Sequence, residues 1–140
     1  AYLYFLPYRD GVWQAKNFIK NVELQKGDLP PVVDIEEIGR TQPDVLKTRL
    51  KDCLKILEEH YKAKPILYSY VNFYEDYLGD DFNEYALWAA HYFENDKPRI
   101  KRNWHFWQHS DKGKVNGIAG DVDFNVFNGD SAAFVKMLLK

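Results

Sequence analysis

The chain has 140 residues, of which 46% are hydrophobic and 16% aromatic. This length and composition support one domain with a buried core, and we expect the domain to span residues 1–140. Its formal net charge of −2 excludes the strongly basic composition that is typical of nucleic-acid-binding proteins. No stretch approaches the run of about 18 apolar residues that a membrane-spanning helix needs. The single cysteine excludes an internal disulfide.

The first part of the chain alternates strand-like and helical patterns. AYLYFL (residues 1–6) predicts a buried strand, and residues 10–27 have the i, i+3, i+4, i+7 apolar spacing of a helix, which Asp10 can cap and Gly27 can end. LPPVVDIEE (residues 29–37) predicts a second strand, because its prolines stand at the entrance, where the sheet needs no backbone donor.

Residues 41–61 carry the clearest helical pattern. Thr41, followed three residues later by Asp44, resembles a capping box at the start of a helix. One apolar stripe then runs along the segment and is formed by Leu46, Leu50, Cys53, Leu54, Leu57 and Tyr61. These features predict an amphipathic helix with a buried face, and they place Cys53 in the core as a small hydrophobic residue.

The second part of the chain is richer in strands. We predict strands at PILYSY, YALWAAHY, WHFWQHS and VDFNVF, a short helix over residues 72–78, and a closing helix capped by Asp130. Strands that alternate with helices indicate parallel β-α-β units and an α/β fold. A closed β/α barrel typically needs about eight strands. Because we predict fewer, we expect an open sheet or an irregular, TIM-like β/α barrel that is N-terminally truncated by roughly two strand units.

Two carboxylates stand one residue apart where the second strand ends. Side chains two positions apart in a strand share a face, so Asp34 and Glu36 point the same way and Glu37 points the opposite way. At the carboxyl end of a barrel strand this direction leads into the mouth of the barrel. Repulsion should raise one of the two pKa values, and we expect the longer Glu36 to show it. A protonated Glu beside an ionised Asp suits glycosidic cleavage, although such pairs also cap loops or bind lysines.

Further side chains can join the same mouth. VDFNVF supplies Asp123 from a strand late in the chain. A two-residue period places Tyr68 with Tyr70 on one face of a strand, and Trp88 with Tyr92 on one face of another. Aromatic rings form platforms that suit the faces of sugar rings. The alternative is that these rings fill the barrel interior.

Other chemistries find little support in the sequence. There is no glycine-rich phosphate loop, no Gly-x-Ser-x-Gly elbow and no CxxC pair. DVDFNVFNGD departs from a calcium loop, because Val126 and Ala132 stand where such a loop needs Gly and Glu. His105 and His109 lie four apart in a predicted strand, a spacing that does not form the helical zinc pair.

A series of short motifs follows one order along nearly the whole chain: AYLYF, QAKNFIKNV, PPVVDIEE, ILYS, ALWAAHY, WHFWQHS and GKVNGIAGDVDFNVF. In this combination the chain resembles the glycoside hydrolase family 25 muramidases, which cut the glycan strand of peptidoglycan. The resemblance implies an irregular β/α barrel with about five β/α units followed by strands. It also implies a lysozyme-type glycosidase that acts at the cell envelope or outside the cell, with peptidoglycan as its partner and without a metal or an organic cofactor.

The same resemblance implies roles for individual residues. The family's Asp-x-Glu motif falls on Asp34 and Glu36, with Glu36 as general acid, and the Asp of its Val-Asp-x-Asn motif falls on Asp123. In the implied mechanism the acetamide of the substrate assists departure of the leaving sugar, and Asp34 orients that acetamide. The implied substrate-binding residues are Tyr68, Trp88, Tyr92, Trp107 and Gln108.

Two departures from the family pattern bear on activity. The family usually has a further active-site Asp on its first strand, and that strand and the next are not matched by this chain. Leu3 stands where the family often has His, which would remove a polar group from the wall of the site. These departures favour an alternative, a cell-wall glycan-binding module without catalysis or an inactive fragment of such an enzyme. Open barrel edges also lead to the hypothesis of a dimer that covers them.

Overall fold

The computed structural model describes residues 1–140 and is built around one six-stranded sheet in which the strands lie side by side in chain order. Strands β1 to β5 are parallel, and β6 is antiparallel to β5. The strands are β1 (Tyr2–Tyr4), β2 (Val32–Asp34), β3 (Ile66–Tyr70), β4 (Ala86–Ala90), β5 (Phe106–Gly113) and β6 (Val122–Phe127). The sheet curls into a half-barrel, which confirms the predicted irregular β/α barrel. The outer edges of β1 and β6 pair with no other strand of the chain.

Four helices accompany the sheet: α1 (Gly11–Asn21), α2 (Pro43–Tyr61), α3 (Val71–Phe73) and α4 (Ser131–Met137). The single turn of α3 continues as a π-helical turn over Tyr74–Leu78 and a 3₁₀ turn over Gly79–Phe82. This composite segment occupies the place of the predicted short helix. None of the helices combines the length and the apolar character needed to cross a membrane.

The structure confirms the predicted start of α1 and corrects its predicted end. The Asp10 side chain accepts from the backbone N–H of Trp13 (2.7 Å) and caps α1 as predicted. The predicted continuation of the helix to Gly27 is wrong, because Val22 already adopts an extended backbone conformation and closes the last turn by donating its N–H to the carbonyl of Phe18.

The start of α2 also differs from the prediction. Thr41 does not cap this helix; Gln42 takes the cap position without a side-chain hydrogen bond. Pro43 occupies the first helical position, where its missing N–H leaves no intrahelical bond unmade. Because a residue before proline is held in an extended conformation, Gln42 becomes the cap, and the helix starts one residue later than a cap at Thr41 would place it.

Helices α1 and α2 pack closely at Gly11. A Cβ atom at this position would lie 1.9 Å from the carbonyl oxygen of Arg49 in α2. The first turn of α1 can therefore approach the backbone of α2 only because residue 11 lacks a side chain. The guanidinium of Arg49 donates to the carbonyl of Pro7 (2.7 Å) and fixes the loop that precedes α1.

Alternation along the strands gives the sheet two different faces. The convex face packs under α1 and α2, in a core that includes Val33, Leu67, Leu87, Leu50, Leu54 and Leu57. The amino-terminal half of the concave face carries a smaller cluster made by Val32, Ile66 and Phe106, with Phe134 and Met137 of α4 packed against it. Helix α4 thus covers one end of the concave face and leaves the carboxyl ends of the strands open.

Candidate active site

A groove of about 690 Å³ lies on the concave face at the carboxyl ends of the parallel strands. Seven of the eight residues that the sequence indicated as site residues line it: Asp34, Glu36, Asp123, Tyr68, Trp88, Tyr92 and Gln108. They come from four of the parallel strands or the loops that follow them, and from β6. Side chains far apart in the sequence thus meet in one concave site, which is the usual placement of sites in β/α folds.

The two neighbouring carboxylates are the most perturbed acids of the groove. Asp34 ends β2, and its Oδ1 atom is buried without a hydrogen-bond partner. Burial, followed by the charge of Glu36, raises the pKa of Asp34 to about 7. The pKa of Glu36 is also raised, by burial first and by the charge of Glu37, and a hydrogen bond from Tyr68 opposes this rise. The expectation that Glu36 alone would be raised is therefore wrong, because the shorter Asp34 is the more deeply buried of the two.

Tyrosines and one amide form the floor of the groove beside these acids. Gln108 on β5 is only 6% exposed, and its Oε1 accepts from the hydroxyl of Tyr68 (2.5 Å) and from the hydroxyl of Tyr92 (2.9 Å). Tyr70 packs edge-on against Tyr92, with ring centroids 6.0 Å apart. Burial raises the pKa values of both Tyr68 and Tyr92, so their hydroxyl groups stay protonated and act as donors.

Trp88 on β4 forms the aromatic wall of the groove. Its ring lies against Phe106, with centroids 4.9 Å apart, and meets Tyr68 edge-on at 6.2 Å. The indole N–H donates to Oδ1 of Asn125 on β6 (2.8 Å). Asp123 lies two residues before Asn125, on the same exposed part of β6. The indole plane is thus fixed on one side by packing and on the other by a hydrogen bond.

The structure places Trp107 outside the groove. Because Gln108 faces the groove, the adjacent Trp107 points to the opposite face of β5. Its ring is 6% exposed, packs against Trp104 and His109, and donates its N–H to the carbonyl of His91 (2.8 Å). Trp107 therefore contributes to packing beneath the loop after β4, which corrects the assignment of this residue to substrate contact.

Leu3 also lies away from the groove. In the β1–β2 register Leu3 pairs with Val33, and its side chain packs against the main core on the convex face. Its neighbour Tyr2, which is 71% exposed, lines the groove in its place. The expectation that Leu3 removes a polar group from the wall of the site is therefore wrong.

Two further polar groove residues, Asn125 and Asp111, were not indicated by the sequence. Asn125 stands two positions from Asp123, so the two-residue period of a strand could have found it, as it found Tyr70 beside Tyr68. Asp111 lines the groove because the register of β5 shifts after Gln108. Such a bulge changes which residues of the strand face the groove, and no sequence pattern predicted it.

The structure contains no group of three or more His, Cys, Asp or Glu side chains arranged to hold a metal ion. The two histidines considered above lie in packed surroundings. Nδ1 of His105 accepts weakly from the backbone of Leu87 (3.4 Å), and the ring of His109 lies 5.3 Å from that of Trp107. The ionisable chemistry of the groove is therefore that of carboxyl and phenol groups.

Paired acids beside an aromatic wall are features that glycoside hydrolases use. Comparison with known proteins agrees with this class. The sequence model of the glycosyl hydrolases family 25 matches residues 1–118. The chain belongs to this family, which confirms the resemblance drawn from its motifs.

Individual relatives give the same result. The uncharacterized protein YegX of Escherichia coli K12 is 45% identical over 129 residues, which are 92% of this chain and 47% of YegX. Lysozyme M1 of Streptomyces globisporus is 30% identical over 142 residues, covering 91% of this chain and 48% of that protein. A family 25 glycosyl hydrolase structure from Bacillus anthracis superimposes with a TM-score of 0.87 and 31% identity, covering 97% of this chain and 66% of that one. The chain spans about half the length of the curated relatives it matches.

Proposed function

We propose that the protein is a muramidase that hydrolyses the β-1,4 bond between N-acetylmuramic acid and N-acetylglucosamine in peptidoglycan. Family membership and the lysozyme name of one relative support the substrate class. The observation that carries the proposal is the pair Asp34 and Glu36, both with raised pKa values, in a groove with an aromatic wall. The proposed partner is the glycan strand of peptidoglycan, and the proposed location is the cell envelope or the extracellular space.

Glu36 is the proposed general acid. A general acid has to hold its proton near the working pH and release it to the leaving oxygen. Burial of Glu36 favours its neutral form, and the charge of Glu37 adds to this effect. Glu36 donates its proton to the glycosidic oxygen as the bond to the anomeric carbon breaks.

Asp34 is proposed to orient the acetamide of the sugar on the other side of that bond. Its Oδ1 atom is buried and lacks a donor, and a substrate N–H would supply one. Accepting this hydrogen bond favours the ionised form of Asp34. The acetamide oxygen then attacks the anomeric carbon as the leaving sugar departs. Water, deprotonated by the Glu36 carboxylate, opens the cyclic intermediate, and Glu36 recovers its proton.

The remaining groove residues are proposed to bind sugar rings. Trp88 offers a ring plane that is held by Phe106 and Asn125. Tyr92 carries a hydroxyl group at the edge of the same surface, and Asp123 is exposed on β6 and can accept from sugar hydroxyls. An aromatic platform with polar groups at its edge matches the apolar faces and hydroxyl rims of sugars.

The test is release of reducing ends from purified peptidoglycan by the wild-type protein and by Glu36→Gln, which keeps the shape of the side chain and removes its proton. Loss of general acid catalysis should reduce the rate by about 10²–10⁴-fold. Glu84→Gln is the matched control, because this exposed carboxylate pairs with Lys64 outside the groove. A Glu36→Gln protein that cleaves at the wild-type rate would refute the assignment.

One structural observation favours a second candidate, glycan binding without turnover. The ring of Trp88 is held by Phe106 and by Asn125, neither of which is an acid of the proposed reaction, so the aromatic wall can bind a glycan independently of cleavage. A protein of this kind would sediment with cell-wall sacculi through its aromatic wall but would release no reducing ends. Sedimentation and cleavage measured on the same samples separate the two candidates.

A further inference from the structure

Phe93, in the loop that follows β4, combines unusual exposure with an unusual backbone. Its side chain is 93% exposed, more than that of any other large hydrophobic residue of the chain. Its backbone has a positive φ of 63°, a conformation that a bulky residue adopts only at a cost in energy. The other non-glycine residue with a positive φ is Lys62, which caps the end of α2, where the left-handed conformation is common.

Neither local conformation nor packing explains a phenylalanine at position 93. Glycine or asparagine adopts a positive φ at a lower cost. A ring that is 93% exposed buries almost no apolar area, so it contributes little to the stability of the core. Strained residues are concentrated at binding and catalytic sites. Strain and exposure at the same residue therefore indicate contact with a ligand.

Hydrogen bonds hold the backbone on both sides of Phe93. Before it, the backbone N–H of His91 donates to the carbonyl of Gln108 on β5 (3.1 Å). After it, the carboxylate of Glu94 accepts from Nε (2.8 Å) and Nη2 (2.5 Å) of Arg99. Nδ1 of His91 accepts from the backbone N–H of Arg99 (3.0 Å) and closes the loop. These bonds allow the strained conformation of Phe93 to persist without a ligand.

The position of Phe93 relative to the groove follows from its neighbour Tyr92. Tyr92 lines the groove, and its hydroxyl donates to Oε1 of Gln108 on the floor (2.9 Å). Consecutive Cα atoms lie about 3.8 Å apart, so the backbone of Phe93 is at the rim of the groove. One chain segment thus carries Trp88 and Tyr92, both proposed to bind sugar rings, and then Phe93 at the rim.

We propose that Phe93 is an additional substrate-binding residue, which contacts the apolar face of a sugar ring of the glycan strand at the rim of the groove. The inference rests on the proposed binding of peptidoglycan glycan in the groove, and it adds a sugar contact beyond Trp88 and Tyr92. An exposed aromatic ring matches the apolar face of a sugar. Because the loop backbone is fixed before the ligand arrives, binding loses less entropy in ordering it.

The test is a calorimetric titration with peptidoglycan glycan strands from which an amidase has removed the stem peptides. Every protein in the series carries Glu36→Gln, so that cleavage is suppressed during the titration. Phe93→Gly removes the ring and adopts the positive φ without strain, so this variant should keep or gain stability against urea. It should bind the strands about 3–10-fold more weakly, the range expected for one aromatic contact.

Two further variants show whether the aromatic ring at the rim is responsible. Phe93→Trp keeps an aromatic face and should bind the strands at least as tightly as the parent protein. Val135→Ala removes another exposed apolar side chain, which lies on α4 at the covered end of the concave face, and it should leave the affinity unchanged.

A Phe93→Gly protein with the parent affinity, or one that loses stability against urea, would overturn the inference and leave the proposed function in place. Equal weakening in Val135→Ala would do the same. Weakening that appears only with fragments that retain stem peptides would also overturn it, because the ring would then contact peptide.

The outcome for the proposed function is separate. A parent protein that binds no glycan strand would contradict both the inference and the proposed function. Weaker binding by Phe93→Gly, together with a wild-type protein that releases no reducing ends, would support the inference and contradict the muramidase function alone.

Discussion

The buried carboxyl group of Asp34 should weaken the fold whenever it is ionised, and Asp34→Asn should relieve this effect. The pKa of Asp34 is raised from 3.8 to about 7, chiefly by burial. At about 1.36 kcal/mol per pKa unit this difference corresponds to about 4 kcal/mol. Asp34 keeps partial contact with solvent, and screening reduces the expected effect to about 2 kcal/mol.

The sign of the effect follows from the order in which the two states ionise. Below pH 3.8 the carboxyl is protonated in the folded and the unfolded chain, so Asp34→Asn gains nothing. As the pH rises toward 7, the unfolded chain ionises first and the folded state loses stability relative to it. The gain from Asp34→Asn should therefore be small at pH 4 and reach its full value at pH 8.

Urea denaturation of the wild-type protein and Asp34→Asn at these two pH values measures the gain. Asp123→Asn is the matched control for the removal of a carboxylate, because Asp123 is an exposed residue of the same groove. A free energy of unfolding that does not rise in Asp34→Asn at pH 8, or that rises equally at pH 4, would refute the reasoning. Under the proposed function Asp34→Asn should also lose activity, because Asp34 orients the substrate acetamide. A residue that serves the site while it destabilises the fold is a common trade-off between activity and stability.

Two further substitutions test the packing of the fold and the aromatic wall. Gly11→Ala should lower the free energy of unfolding by about 2–3 kcal/mol, because the new methyl would lie 1.9 Å from the carbonyl oxygen of Arg49. Gly120→Ala is the control: its methyl meets nothing within 4 Å, so its free energy of unfolding should stay within about 0.5 kcal/mol of the wild-type value. Equal urea midpoints for the two variants would contradict this. Asn125→Leu removes the acceptor of the Trp88 indole and should weaken binding of peptidoglycan fragments about 5–10-fold in a tryptophan fluorescence titration, with little loss of stability. Unchanged affinity would show that the indole needs no such anchor.

The order of elements followed from the sequence because each strand and long helix carries its own pattern. The stripe from Leu46 to Tyr61 fixes α2, and its buried members are those that the pattern predicted. Helix ends were less predictable because they depend on single residues whose effects compete. Thr41 does not cap α2, because Pro43 fixes its own backbone conformation and restricts that of Gln42, which makes Gln42 the cap.

Much of the groove was predictable from alternation within strands. Asp34 pairs in register with Tyr68, and Tyr68 pairs with Trp88, so one row of side chains crosses the sheet and enters the groove. Trp107 was misassigned because it was grouped with Gln108, and adjacent residues of a strand cannot both face one groove.

Two properties of the site depend on the assembled fold and could not be read from the chain. The bulge in β5 that turns Asp111 inward depends on pairing with β6. The greater burial of Asp34 relative to Glu36 depends on side chains that come from several strands. Such effects arise from contacts between distant segments, which local patterns do not encode.

The most direct test of the central claim is to identify the sugar at each newly released reducing end. Peptidoglycan is digested with the wild-type protein, reduced with borohydride, hydrolysed, and analysed for reduced amino sugars. Cleavage after N-acetylmuramic acid predicts reduced muramic acid, which should disappear with Glu36→Gln and remain with Glu84→Gln. Reduced glucosamine in its place, or no new reduced sugar, would contradict the account.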